Sequence, residues 1–199
     1  MQEARVLLAR ALLAQRKIDE AEREFRQLTE EKLPTPSTLA WSSIGLGEIA
    51  LQRGQAKPAA QFFADAVRAD AEYAATLNAR AARIRAEAAA GAVPPIDPSA
   101  KTFVDNLDIA IRSGRESDIK PFVVSGELAK FVRGTVGTQP EVWQTRVLRT
   151  EQLDADQMSV DVEMHTKQLG VEHSGTAVFV LAKVAGAWKL NAIELFEVR

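Results

Sequence analysis

Cysteine is absent from the 199 residues, and histidine and tyrosine are scarce, with two and one respectively. Without cysteine there are no disulfides, no thiolate metal sites and no cysteine nucleophile, while the compartment stays open, because many exported proteins also lack it. A dominant sign of charge is missing too: 25 basic against 27 acidic residues leave a formal charge of −2. Such a balance creates no long-range field toward nucleic acid or an anionic membrane surface, and neither is expected as a partner. No apolar run approaches the roughly 18 residues of a membrane span, and Met1 leads straight into a charged amphipathic segment without a signal-peptide core. The chain as given therefore reads as cytoplasmic, and as exported if it is a piece trimmed from a longer precursor.

What is abundant is helical spacing. Val6, Leu7, Leu8, Leu12 and Leu13 recur with a period near 3.6, and after a break at residues 15–17 Ile18, Ala21, Phe25 and Leu28 do the same. Pro34 and Pro36 interrupt the pattern. Ser37 or Thr38 is placed to cap a third helix through Trp41, Ile44, Leu46, Ile49 and Leu51, which Gly54 closes. Pro58 falls in the first turn of a fourth helix, where its missing N–H costs little, and Ala59, Phe62, Phe63, Ala66 and Val67 form its buried stripe. An alanine-rich fifth helix is expected over 72–90.

Overlaying the segments with a shift of 38 residues places Leu8 and Ala9 on Leu46 and Gly47, Ala21 on Ala59, and Phe25 on Phe63. The shift equals a 34-residue unit plus the insertion around Pro34 and Pro36. Residues 1–90 thereby resemble the tetratricopeptide family of helical-hairpin repeats, with Leu46, Gly47, Ala59, Phe63 and Ala66 at its signature positions and Gly54 at the turn. The first unit is more degenerate, with Ala9 for glycine, Arg16 at the turn and Leu28 for the last small residue. Leu77, Ala81 and Ile84 suit the first helix of a third unit. An ordinary helical bundle with accidental self-similarity would pack in much the same way.

Residues 91–98, Gly-Ala-Val-Pro-Pro-Ile-Asp-Pro, form a turn-and-extended signal that no helix crosses, and read as a linker between two hydrophobic cores. Beyond it, Ser99 is placed to cap a helix carrying Phe103, Leu107, Ile109 and Ile111. Short helical segments follow near 118–123 and 126–132. The period then changes to 2, predicting strands over 141–151, 158–168, 171–183 and 187–198, with turns at 154–156, 169–170 and 185–186. If the last two turns have two residues, Val160, Val162 and Met164 share a face with Ala177, Phe179 and Leu181, and these with Trp188, Leu190 and Ala192. The expected class is α+β overall, an all-α repeat domain followed by an α+β domain over 99–199. Element order and the closing strand, Trp188-Lys-Leu-Asn-Ala-Ile-Glu-Leu-Phe196, make that second domain resemble the nuclear transport factor 2-like, or ketosteroid-isomerase-like, superfamily. The resemblance implies a cystatin-like cone with a curved four-stranded antiparallel sheet and an interior able to hold a ligand.

Enzymes of that superfamily place a carboxylate or histidine, often with a tyrosine, inside the cone. The only tyrosine, Tyr73, lies in the helical half. Asp161, Glu163 and His165 alternate along one strand, opposite the apolar row, so they are expected at solvent or against a partner. Catalysis would need the reverse orientation. Asp105 and Asp108 are the other acids considered, and a solvated helix face is expected for both. His165 and His173 fall on opposite sheet faces with a two-residue turn and have no third ligand, so no metal and no cofactor is expected; no phosphate-cradling glycine loop or nucleophile motif appears.

The repeat resemblance instead implies a concave wall formed by Glu3, Val6, Arg10, Leu13, Trp41, Ile44, Glu48, Leu51, Asn78 and Arg85. On it Val6, Arg10, Trp41, Ile44 and Glu48 are the candidate partner-binding residues, with Trp41 and Ile44 as anchors for a protein or peptide. Two readings of Trp41 and Ile44 stay open, partner anchor or surface covered by the rest of the chain. The leading expectation is a non-enzymatic interaction or assembly protein whose sheet supports a homodimer. The alternative is a small-molecule lyase or isomerase acting in the cone cavity.

Overall fold

Period and punctuation translate directly into elements in the computed structural model, which describes residues 2–69, 71–124, 126 and 128–198. Five helices come first, α1 (Gln2–Ala14), α2 (Ile18–Thr29), α3 (Pro36–Gln52), α4 (Ala56–Arg68) and α5 (Tyr73–Ala89). Then follow α6 (Pro98–Arg112), the short α7 (Glu116–Ile119) running into a 3-10 turn (Lys120–Phe122), and α8 (Ala129–Thr138). Four strands close the chain: β1 (Val142–Gln152), β2 (Gln157–Gln168), β3 (Val171–Val184) and β4 (Ala187–Val198). They form one antiparallel sheet in the order β1-β2-β3-β4, so the class is α+β. The chain divides into two compact units, Met1–Val93 and Pro94–Arg199.

Both proline-led helices are capped at least two residues earlier than the sequence pattern suggests. Thr35, not Ser37 or Thr38, caps α3: its Oγ1 accepts from the Thr38 N–H at 3.1 Å while Pro36 takes the first helical position. Asp97, not Ser99, caps α6, accepting from the N–H groups of Ser99 at 2.7 Å and Ala100 at 3.2 Å, again with proline next. A proline at that position loses nothing, because its N–H would have had no helical partner. The hairpin turns after α1 and α3 use equivalent left-handed residues, Arg16 at φ 60° and Gly54 at φ 73°.

In the first unit each helix packs on the next. Phe25 and Phe63 are fully buried, and each ring lies against a glycine of α3. A Cβ on Gly45 would stand 2.3 Å from the Phe25 ring, and one on Gly47 2.6 Å from Phe63. Two neighbours of α3 thus approach it through absent side chains. Alanines 75, 79, 82 and 86 give α5 an equally flat buried face.

In the second unit α6 lies on the sheet through Ala100, Phe103, Val104, Leu107 and Ile111, which meet Trp143, Val160, Val162, Phe179, Leu181 and Leu190. Ile109, counted with this face from the sequence, points outward with 59% of its surface exposed, since helical spacing rotates it away from Leu107 and Ile111. The β2–β3 and β3–β4 turns are two-residue turns with both residues left-handed, Leu169 (φ 51°) with Gly170 (φ 77°) and Ala185 (φ 52°) with Gly186 (φ 81°). Val160 pairs with Phe179 and Val162 with Ala177, the expected face. The parity argument fails farther along, at Ala192: the register shifts between Val180 and Leu181, so Ala192 pairs with Val180 on the outer face and Ile193 takes the place beside Phe179.

Candidate functional site

The first unit carries an open groove of about 370 Å³ whose lining includes Arg10 and Leu13 of α1, Trp41, Ile44 and Glu48 of α3, and Asn78 of α5. Of the two glycines already described, Gly45 borders it. Because Gly45 lets the Phe25 ring close against α3, the floor is apolar, and the longer side chains of neighbouring turns stand up as walls. The Arg10 guanidinium lies 4.4 Å from the Trp41 ring centroid, a cation–π stack that fixes the ring plane. Trp41 Nε1–H donates to the Glu72 carboxylate, which also accepts from the Ser37 hydroxyl at 3.3 Å. Desolvation pulls the Glu72 carboxyl upward, but the bonds from Trp41, its own backbone and Ser37 together hold it below the ordinary range. The indole is thereby held on two sides before anything binds.

Glu48 is the chemically distinctive member. Its surface reaches solvent at the groove mouth, yet the walls crowd it enough that desolvation pushes its carboxyl above the ordinary range, with the charges of Arg10 and Arg85 pulling it partway back. Of the five candidate residues, Arg10, Trp41, Ile44 and Glu48 come together here. Val6 lies outside that lining, buried in the helix packing, whereas Ile44, which is as little exposed at 5%, borders the groove. Sequence spacing pointed to neither Gly45 nor Phe25 as part of the floor; the signal available was the pair of glycines two residues apart in one helix.

The acids of the second unit are arranged differently from the expectation. Asp108 is not on a solvated face. It is 5% exposed, and its carboxylate accepts from the Thr145 N–H and from the Thr145 hydroxyl, each at 2.7 Å. Burial pushes its carboxyl above the ordinary range, the Thr145 bonds opposing. Asp105 is exposed and pairs with Lys101 at 2.6 Å.

Nor is the row Asp161, Glu163, His165 uniformly solvated. A bulge between Val147 and Arg149 in β1 brings Arg149 opposite Asp161, and both are buried, at 6% and 5% exposure, together with Ser159 and Val178 of the same face. Alternation assigns a side chain to a face; it does not say whether that face is covered, and here the half nearest Arg149 is. The other half is open. Glu163 takes the Arg146 guanidinium at 2.7 Å, and His165 Nδ1 lies 3.2 Å from the Ser174 hydroxyl, beside a shallow depression of about 350 Å³. His173 pairs with Thr166 while His165 pairs with Ser174, so the two imidazoles stand on opposite faces. Among the described residues no three His, Asp or Glu side chains cluster as a metal site would require, and no helix is long and apolar enough to cross a membrane. Comparison with protein-family models, with curated proteins and with solved structures finds no match.

Proposed function

We propose that this chain is a non-enzymatic protein-interaction module that takes a peptide segment of a partner in the groove of its first unit, in keeping with the tetratricopeptide resemblance. The observation that carries the reading is the Trp41 side chain, stacked under Arg10 and tethered to Glu72 above an apolar floor. An indole held in one orientation loses little entropy on binding, which is what makes such side chains effective anchors. Ile44 lines the groove beside it, and Glu48, exposed at the groove mouth, supplies a carboxyl acceptor for a donor on the partner.

The second unit, read as a nuclear transport factor 2-like cone, serves as the structural half. Phe103, Leu107, Trp143, Phe179 and Leu190 occupy the space between helix and sheet where a substrate would sit. The desolvated acid, Asp108, has its two oxygens engaged by Thr145 and so is a clasp between α6 and β1. Both features weigh against the lyase or isomerase alternative. A second copy of the chain is proposed on the open half of the outer sheet face, around Arg146, Glu163 and His165.

A photoreactive residue at Gln52, on the groove lining, tests the reading against the same residue at Gln61 on α4. A groove partner is trapped in cells from position 52 only, and the adduct disappears with Trp41→Ala or Glu48→Lys. Equal trapping at both positions, or an adduct indifferent to Trp41→Ala, overturns it.

A further inference from the structure

The outward face of α1 carries an exposed apolar stripe, Ala4, Leu7, Leu8 and Ala11, at the i, i+3, i+4, i+7 spacing of a packing face. All four are exposed, Leu7 by 62% and Leu8 by 50%. The face is distinct from the groove, which uses Arg10 and Leu13 on another side of the same helix.

The repeat overlay identifies what such a face does. Shifted by 38 residues, Ala4, Leu7, Leu8 and Ala11 fall on Ser42, Gly45, Leu46 and Ile49 of α3. Those four are buried, and Leu46 and Ile49 form one cluster with Ala21 and Phe25 of α2. The equivalent face of the next unit is thus already filled by a helix, with Phe25 seated over Gly45. We infer that the α1 stripe is a docking surface for an amphipathic helix laid across it as α2 lies across α3.

The internal interface also sets the size rule for the occupant. At Gly45 even a Cβ would lie 2.3 Å from the Phe25 ring. Position 7, its equivalent, is leucine, so the stripe fills from its own side the volume that Phe25 fills in the internal contact. The docked helix therefore follows the α2 pattern, with a small residue at the place of Ala21, but carries a small residue where α2 has Phe25. Large and small are exchanged across the contact, as close packing requires.

The test uses the intact chain and a side-chain-bridged helical peptide copying residues 17–31, in two versions, native and Phe25→Ala, with binding read by fluorescence polarisation. The Phe25→Ala peptide is expected to bind saturably and about tenfold more tightly than the native one. Its binding is expected to fall by about tenfold or more when the chain carries Leu8→Glu, or separately Leu7→Glu. Both leucines are exposed, so both variants keep the wild-type circular dichroism. Absence of saturable binding, equal binding by the two peptides, or indifference to both charged variants overturns the inference. Concentration-dependent self-association abolished by Leu8→Glu would assign the stripe to a second copy of the chain and overturn the helix-docking inference as well.

Discussion

The two units fill their cores with different proportions of small and large side chains. In Met1–Val93 the helices meet largely through alanine and glycine, with Phe25, Phe63, Ile44, Leu46 and Ile49 as the larger members. In Pro94–Arg199 large side chains interdigitate between α6 and the sheet, and one polar clasp, Asp108 with Thr145, joins the layers. The difference lies in what each core tolerates. A contact made by leaving side chains out is broken by adding atoms, whereas one made by filling space is broken by removing them or by stranding a polar group.

The largest effect is expected at Gly45. Valine there drives its Cβ into the Phe25 ring and is expected to destabilise the first unit by about 3 kcal/mol, with Gly47→Val close behind against Phe63. Thermal melts of Gly45→Val, Phe25→Ala and the double variant sharpen the point. The double variant should lose clearly less than the sum, because each change relieves the other's fault. A melting midpoint that does not move with Gly45→Val breaks the comparison.

Next is the clasp. Asp108→Ala strands the Thr145 N–H and hydroxyl and is expected to cost about 2 kcal/mol by urea denaturation, while Asp108→Asn, able to accept from one and donate to the other, costs about 1 kcal/mol or less. The pH dependence separates them further. Because burial raises the folded-state carboxyl above its unfolded value, the native state holds the extra proton across that window. The Asp108 contribution to stability therefore falls as pH rises from about 4 up to the raised value, and is flat above it. Asp108→Asn should remove this downward limb; an unchanged limb would assign it to other groups.

A smaller and opposite effect is expected at Ser42, on the α3 face that receives α2. Its hydroxyl oxygen is buried with no hydrogen-bond partner among the described residues. Ser42→Ala removes an unpaired polar atom and adds helix propensity, and should stabilise the first unit by about 1 kcal/mol. A loss of stability in the melt would mean that the hydroxyl is satisfied in solution.

Element type and order were legible because they follow local rules. Periods of 3.6 and 2, the proline pairs and the glycine-containing turns mark all five leading helices and all four strands. Helix starts were legible only to within a few residues, since Thr35 and Ser37 are both competent caps and only the position of Pro36 decides between them. Of the groove, Trp41, Ile44, Arg10 and Glu48 could be read by overlaying repeats. Val6 lies outside the groove lining because the overlay ranks faces of a helix without showing how far each neighbour wraps around it. Asp108 was misread for a related reason, while Asp161 lies on the sheet face that parity gives it but at a covered part of that face. Composition makes a lone acid look solvated, and burial depends on partners such as Thr145 that are distant in the chain. Bulges shift every later side chain to the other face, and the ones in β1 and β4 have no signature in the alternating pattern.

The smallest effect is expected on the open half of the outer sheet face, where it separates stability from association. Arg146 and Glu163 form an exposed cross-strand ion pair at 2.7 Å. Such pairs gain little in water, since solvent screens the attraction and ordering two long side chains offsets most of it. A double-mutant cycle with Arg146→Ala and Glu163→Ala is expected to give a coupling of about 0.5 kcal/mol or less at low protein concentration, shrinking further with added salt. The proposed second copy on this face changes that expectation in one respect. If the pair is covered on association, the coupling grows with protein concentration, because removing one partner then leaves a charge desolvated. Measuring the cycle at low and high concentration, alongside sedimentation of the wild type, distinguishes the two. A concentration-independent coupling in a chain that sediments as a monomer leaves the first-unit groove as the binding surface and removes the sheet-face dimer.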